Sequence, residues 1–182
     1  MKKEIIFVGL VIILSFAGCK KNDDSVKNSG EATINSELIF EGDTYTFNGF
    51  SFKLGKVISY NPQTSKTAPD LIVGKDDSGP EIIAYLEIWN NSPQNQLFGF
   101  LGGFNDLSSA EDFFNNYKQV SDSLSFRVWA KPILENQVWI IKTLDNHYAK
   151  ILILNVKTPV DSFAETTFKW IYQPDGSNEF DN

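Results

Sequence analysis

One cysteine and one histidine are all that this 182-residue chain holds of the two most versatile catalytic and metal-binding side chains. The lone cysteine, Cys19, has no partner for an internal disulfide, so a core rather than cross-links must hold the fold. One histidine, His147, and no second thiol leave a zinc site short of its three or four nitrogen or sulfur ligands. A histidine-dependent nucleophile mechanism has the same single candidate base, at an expected hairpin tip where water is hard to exclude. Long apolar runs are scarce too. The run Ile5–Gly18 has fourteen residues, fewer than the ~20 that a bilayer-spanning helix needs. Positive charge is short: 16 basic against 23 acidic residues give a formal charge of −7, which excludes the basic field that nucleic acid requires. No G-x-G-x-x-G, phosphate-binding loop or H-E-x-x-H occurs, and no segment repeats at a fixed period. Catalytic residues and metal ligands are therefore expected to be absent, and the chain is expected not to be an enzyme. A carboxylate pair brought together from distant strands is the one catalytic device that spacing does not exclude.

What is present begins at the N-terminus. Met1-Lys2-Lys3 followed by Ile5–Gly18 has the form of a signal segment, a positive start and an apolar stretch. It closes on Phe16-Ala17-Gly18-Cys19, which resembles the lipobox of bacterial lipoproteins. The resemblance implies cleavage after residue 18, acyl chains on Cys19 and a membrane anchor that more than one chain makes stable. Cysteine chemistry is then closed off. Residue 20 is lysine rather than the aspartate that retains many lipoproteins in the inner membrane, so the outer membrane is the expected address. Lys20-Lys21-Asn22-Asp23-Asp24 is similar to a surface-export signal of one Gram-negative lineage, with Asn22 interrupting it, and the cell surface is the expected orientation. Losing residues 1–18 removes Lys2, Lys3 and Glu4 from the 16 basic and 23 acidic residues, leaving 14 and 22 and a net charge of −8.

Residues 19–36 are polar and poor in aromatics, the composition of a flexible tether. Residues 37–182 are expected to form a single β-rich domain. Glu37–Glu41 is a short strand, and Asn48-Gly49 between Tyr45, Phe47, Phe50 and Phe52 predicts a two-residue hairpin with all four rings on one face. Such rings pack a core or offer a stacking platform for a ligand. Asp76-Asp77 in a Gly/Pro-bounded turn lacks the spacing of a calcium loop. Glu81–Trp89 alternates as a central strand, and Leu97–Leu101 forms another. Ser108-x-x-Glu111 reads as a capping box for one helix at about 109–120, with Ala110, Phe113, Phe114 and Tyr117 on one face.

The strongest periodic signal is last. Val138–Leu144, His147–Val156 and Glu165–Tyr172 alternate with period two, the first pair joined through Asp145-Asn146. The first two strands are apolar on both faces, so each face must be covered. The third is half-exposed. A mainly β architecture follows, an antiparallel sandwich or barrel-like sheet of about eight to ten strands with one helix.

Trp139-Ile-Ile-Lys-Thr-Leu-Asp-Asn-His-Tyr148-Ala-Lys150-Ile, a spacer, and Thr167-Phe168-Lys-Trp170-Ile-Tyr172 resemble the C-terminal strands of HmuY-like haem-capturing lipoproteins. That resemblance implies haem or small-ligand capture at the membrane surface, with His147 and Tyr148 as candidate binding residues. It departs from the family in one respect. Bis-axial ligation of haem iron needs two histidines, or methionine in place of one, and beyond Met1 the chain has no methionine, so one axial ligand remains. The alternative from another class is a glycan- or protein-binding accessory or adhesion module that uses exposed rings among its four Trp.

Overall fold

The computed structural model describes residues 28–180, so the signal segment and Cys19 lie outside the described residues. Among the described residues eleven strands make two antiparallel sheets, accompanied by one helix. The meander is the spine of the larger. β9 (Gln137–Lys142), β10 (Tyr148–Lys157) and β11 (Glu165–Gln173) pair in sequence, with Ile151 opposite both Trp139 and Trp170. Beyond β9 lie β7 (Phe98–Gly103) and the two-residue β8 (Phe126–Arg127). The far edge is β1 (Ser29–Asn35), paired with β11 over its whole length.

β1 corrects the expected boundary at 36: residues 29–35, expected in the tether, form a strand, while residues 19–27 lie outside the described residues. Its inward residues, opposite Trp170, Phe168 and Thr166, are Gly30, Ala32 and Ile34. Two of the three are too small to register as apolar alternation, yet Ile34 is buried in the core.

The smaller sheet contains β2 (Leu38–Glu41), β3 (Thr44–Ser51), β4 (Lys56–Tyr60), β5 (Leu71–Asp76) and β6 (Ile83–Ile88). Here the expected Asn48-Gly49 hairpin is overturned, because β3 runs straight through it. The reversals fall instead at Gly42 (φ +62°) and Gly55 (φ +61°), where positive φ favours glycine. Gly49 serves another need. A Cβ there would sit 2.5 Å from the Pro69 side chain, so glycine admits a close crossing. Because β3 is continuous, its rings divide: Phe50 and Phe52 enter the main core, and Tyr45 and Phe47 turn to the opposite face.

Both faces of the meander are covered. Ile151, Ile153, Phe168 and Trp170 pack against Phe50, Leu71 and Leu86 of the smaller sheet. On the other face, Val138 and Leu152 meet Ala110 and Phe114 of α1 (Leu107–Asn116). The helix starts two residues before the expected position and stops at Asn116 rather than near 120. Its N-cap is Asp106, whose carboxylate accepts from Ser109 N at 2.8 Å; Ser108 caps nothing. Tyr117 leaves the helix in extended conformation, and Val120 N donates to Asn178 O at 2.8 Å, tying the following segment to the C-terminal strand end. One side of the sandwich closes like a barrel: Ala130 and Leu86 exchange backbone hydrogen bonds at 3.0 and 3.1 Å, and Ile133 N reaches Ala84 O. The expected central strand β6 therefore lies at a sheet margin that this crossing segment seals.

Candidate functional site

Two regions compete as sites, at His147 and at a corner built on β2 and β3. The turn before His147 forms as its sequence suggests. Asn146 takes φ +64° and donates to Thr143 O at 3.0 Å, while Thr143 N donates to His147 O at 2.9 Å. The Thr143 hydroxyl bonds the Asp145 carboxylate and accepts from His147 N at 3.1 Å. The imidazole is half-buried. Its Nδ1 shares a 2.7 Å hydrogen bond with the Tyr172 hydroxyl, and Asp145 Oδ2 stands 3.7 Å from the same nitrogen. Gly176 (φ +77°) brings a turn over the ring, since a Cβ there would lie 3.2 Å from His147 Cδ2. Burial, reinforced by the carboxylates of Asp145 and Asp70, pushes the Tyr172 phenol up to about 12. Burial also raises the Asp70 carboxyl above its ordinary range, against the opposing hydrogen bond from Phe52 N at 2.8 Å.

Tyr148, paired with His147 in the sequence reading, is not brought to it. The Tyr148 ring packs with Val120, Ile140 and Phe180 beneath the C-terminal segment, whereas His147 turns to Tyr172 in the main core. Strand alternation sends the two neighbours to opposite faces. Close to Tyr148 stands a residue whose role the sequence hides. Lys150, the third residue of β10, is fully buried, and its Nζ donates to Phe114 O and, at 2.6 Å, to Tyr117 O. It also lies 4.7 Å and 5.1 Å from the ring centres of Phe114 and Phe180. The ammonium thus satisfies carbonyls at the C-terminal end of α1, where the helix dipole is negative. Burial, aided by Lys118, lowers it to about 8. The only sequence signal is a lysine within the otherwise apolar residues 148–154 of β10.

The expected solvated turn at Asp76-Asp77 is a small lock. Asp76 pairs with Lys131 and accepts from Ser78 N, and the Lys131 contact is the main reason its carboxyl lies well below the usual range. Glu87 is raised by burial, with Trp129 opposing as a donor. An open recess of about 490 Å³ at one mouth of the sandwich has Ile83, Ile133 and Leu134 in its lining and the carboxylates of Glu81 and Glu135 at hand. Glu135 is already used, accepting from Asn155 Nδ2 at 2.9 Å. Among the described residues, no group of three His, Cys, Asp or Glu could hold a metal ion.

The second region is the corner. A recess of about 130 Å³, almost wholly apolar, is lined by Leu38, Tyr45, Phe47, Ile72 and Trp89, with Asn35 and Ser36 at its edge. The rings are contiguous: Phe40 to Tyr45 at 6.0 Å, Tyr45 to Phe47 at 6.2 Å, Phe47 to Trp89 at 4.7 Å. Beside them β2 stands off the body, with Leu38 49%, Ile39 48% and Phe40 69% exposed. The Trp89 indole N–H is buried without a hydrogen-bond partner among the described residues, an unusual state for a polar group. Tyr45 and Phe47 do share an aromatic face, but with Phe40 and Trp89 rather than with the expected Phe50 and Phe52, because β3 runs through Asn48-Gly49 without turning.

No protein-family model matches the chain, and neither does any curated protein or solved structure. The geometry of these two regions therefore carries the functional argument.

Proposed function

We propose that this protein is a lipid-anchored outer-membrane lipoprotein whose β domain is a non-catalytic binding module, with the corner between β2, β3 and Trp89 as its binding face. The anchor rests on the signal segment and Cys19. The observation that carries the binding face is the contiguity of a ring-lined recess with a strand whose three apolar side chains are about half or more exposed. A recess of about 130 Å³ accepts one aromatic or aliphatic group, a cavity of ~150 Å³ being enough for benzene. Scattered apolar residues on a surface mean little, but a contiguous patch marks a contact site.

One observation favours a second reading, haem held by one axial nitrogen. Ligating histidines have their other ring nitrogen fixed by a hydrogen-bond partner, and here Tyr172 holds Nδ1, leaving Nε2 for a ligand. The fit stops there, since the chain has no second histidine and its single methionine is Met1.

Chemical-shift mapping of the Cys19→Ser chain separates the two. Indole, as a single-ring probe, is expected to shift Leu38, Tyr45, Phe47 and Trp89. Undisturbed resonances at those residues would refute the corner. Hemin shifts confined to the His147 turn, with a Soret change that His147→Ala removes, would establish the second reading.

A further inference from the structure

We propose that β2 is a strand-addition site, its open edge taking an extended segment of a partner protein in which apolar residues alternate with lysine or arginine. This rests on the corner as the binding face and names what docks there. Among the described residues β2 pairs with β3 alone, from Leu38 opposite Phe47 to Glu41 opposite Thr44, and it ends the sheet order. In an antiparallel strand every second residue turns both its N–H and its C=O away from the neighbour, so those groups stand ready for another strand. Such edges are usually blunted by shortness, charge, proline, a bulge or a covering loop. β2 is short and ends on Glu41, but among the described residues it has no lysine, proline, bulge or covering loop. It reads Leu-Ile-Phe-Glu, every residue exposed.

Charge names the partner. Glu37, Glu41 and Asp43 are exposed around the strand, and none takes part in an ion pair among the described residues. From Ser36 to Phe52 there is no lysine or arginine. A second copy of the chain would bring the same acids against them, and an anionic lipid surface would repel them. A basic strand instead meets these carboxylates while its alternate apolar side chains face Leu38, Phe40 and the recess behind. Main-chain pairing supplies affinity in this mode and side-chain pockets supply selectivity. The segment of this chain from residue 20 to 27 has lysines but one apolar residue, Val26, so it lacks the required alternation.

The test uses two labelled peptides of about eight residues, a usual strand length, one alternating valine with lysine and the other valine with glutamate. Fluorescence anisotropy with the Cys19→Ser chain is expected to show the lysine peptide binding at least about tenfold tighter, with salt weakening it. The Glu37→Lys/Glu41→Lys/Asp43→Lys variant is expected to reverse that order. A proline in the middle of the lysine peptide is expected to abolish binding, because it removes a pairing N–H. Binding that survives the proline would mean charge attraction without strand addition and overturn the proposal. So would dimerisation in sedimentation that Ile39→Lys abolishes, which assigns the edge to a second copy. Binding seen only after deletion of residues 20–27 would assign the edge to the chain's own tether. If neither peptide binds while indole still shifts Trp89, strand addition fails and the corner as a binding face stands.

Discussion

Lys150 shows how much one residue can decide. Lys150 is fully buried, and among the described residues its ammonium meets no carboxylate, only two carbonyls and two ring faces. Lys150→Ala strips those carbonyls of their donor and opens a void, a loss of roughly 2–4 kcal/mol in urea unfolding. The proton linkage has a definite sign. The folded group titrates at about 8 and the free one at 10.5, so between these values the unfolded chain holds more protons and stability rises with pH. Lys150→Met should flatten that rise. An unchanged profile in the variant would mean that the lysine is not buried as described. Tyr172 behaves oppositely. With its phenol up at about 12 instead of 10.0, its contribution is complete below pH 10 and is lost as pH climbs towards 12. Absorbance titration should show one tyrosine ionising last, and Tyr172→Phe should remove that step.

At the scale of elements, local chemistry decides where each piece starts and ends. Ser108 with Glu111 fits a capping pattern, yet the cap is made two residues earlier by Asp106. Asp106→Ala should therefore cost about 1 kcal/mol, while Ser108→Ala should cost close to nothing. The reverse ranking in thermal melts would restore the capping box. Strand β3 has the same lesson in another form. Asn48-Gly49 carries strong turn chemistry, but tertiary crossing by Pro69 overrides it. Gly49→Ala should destabilise by roughly 1–3 kcal/mol through overpacking against Pro69, and Pro69→Ala should relieve part of that cost in thermal melts, which strain from a positive φ at a hairpin tip would not allow. Strands with two apolar faces, such as β9 and β10, were legible from their alternation, although the bulge between Ile153 and Asn155 that shifts β10 on β11 leaves no mark in it. β1 was not, since glycine and alanine at its inward positions carry no hydrophobic signal.

The whole molecule follows from the meander's need for cover on both faces, met by the smaller sheet on one side and by α1 with the C-terminal segment on the other. That need was readable from sequence, and so was the mainly β class with one helix. Which residues would form a site was less readable. His147 and Tyr148 are adjacent in sequence and divided in space, and the corner draws its rings from β3 and Trp89, far apart in the chain. If Cys19 is the anchor, Cys19→Ser should shift the protein from membrane to soluble fractions with its thermal melt intact. Retention in the membrane fraction would contradict the lipid attachment. The most direct test of the binding face places a photo-crosslinking residue at Phe40 or at His147 in the anchored protein on intact cells. Crosslinks from position 40 and none from 147 are the expected result; crosslinks from 147 alone would contradict the account.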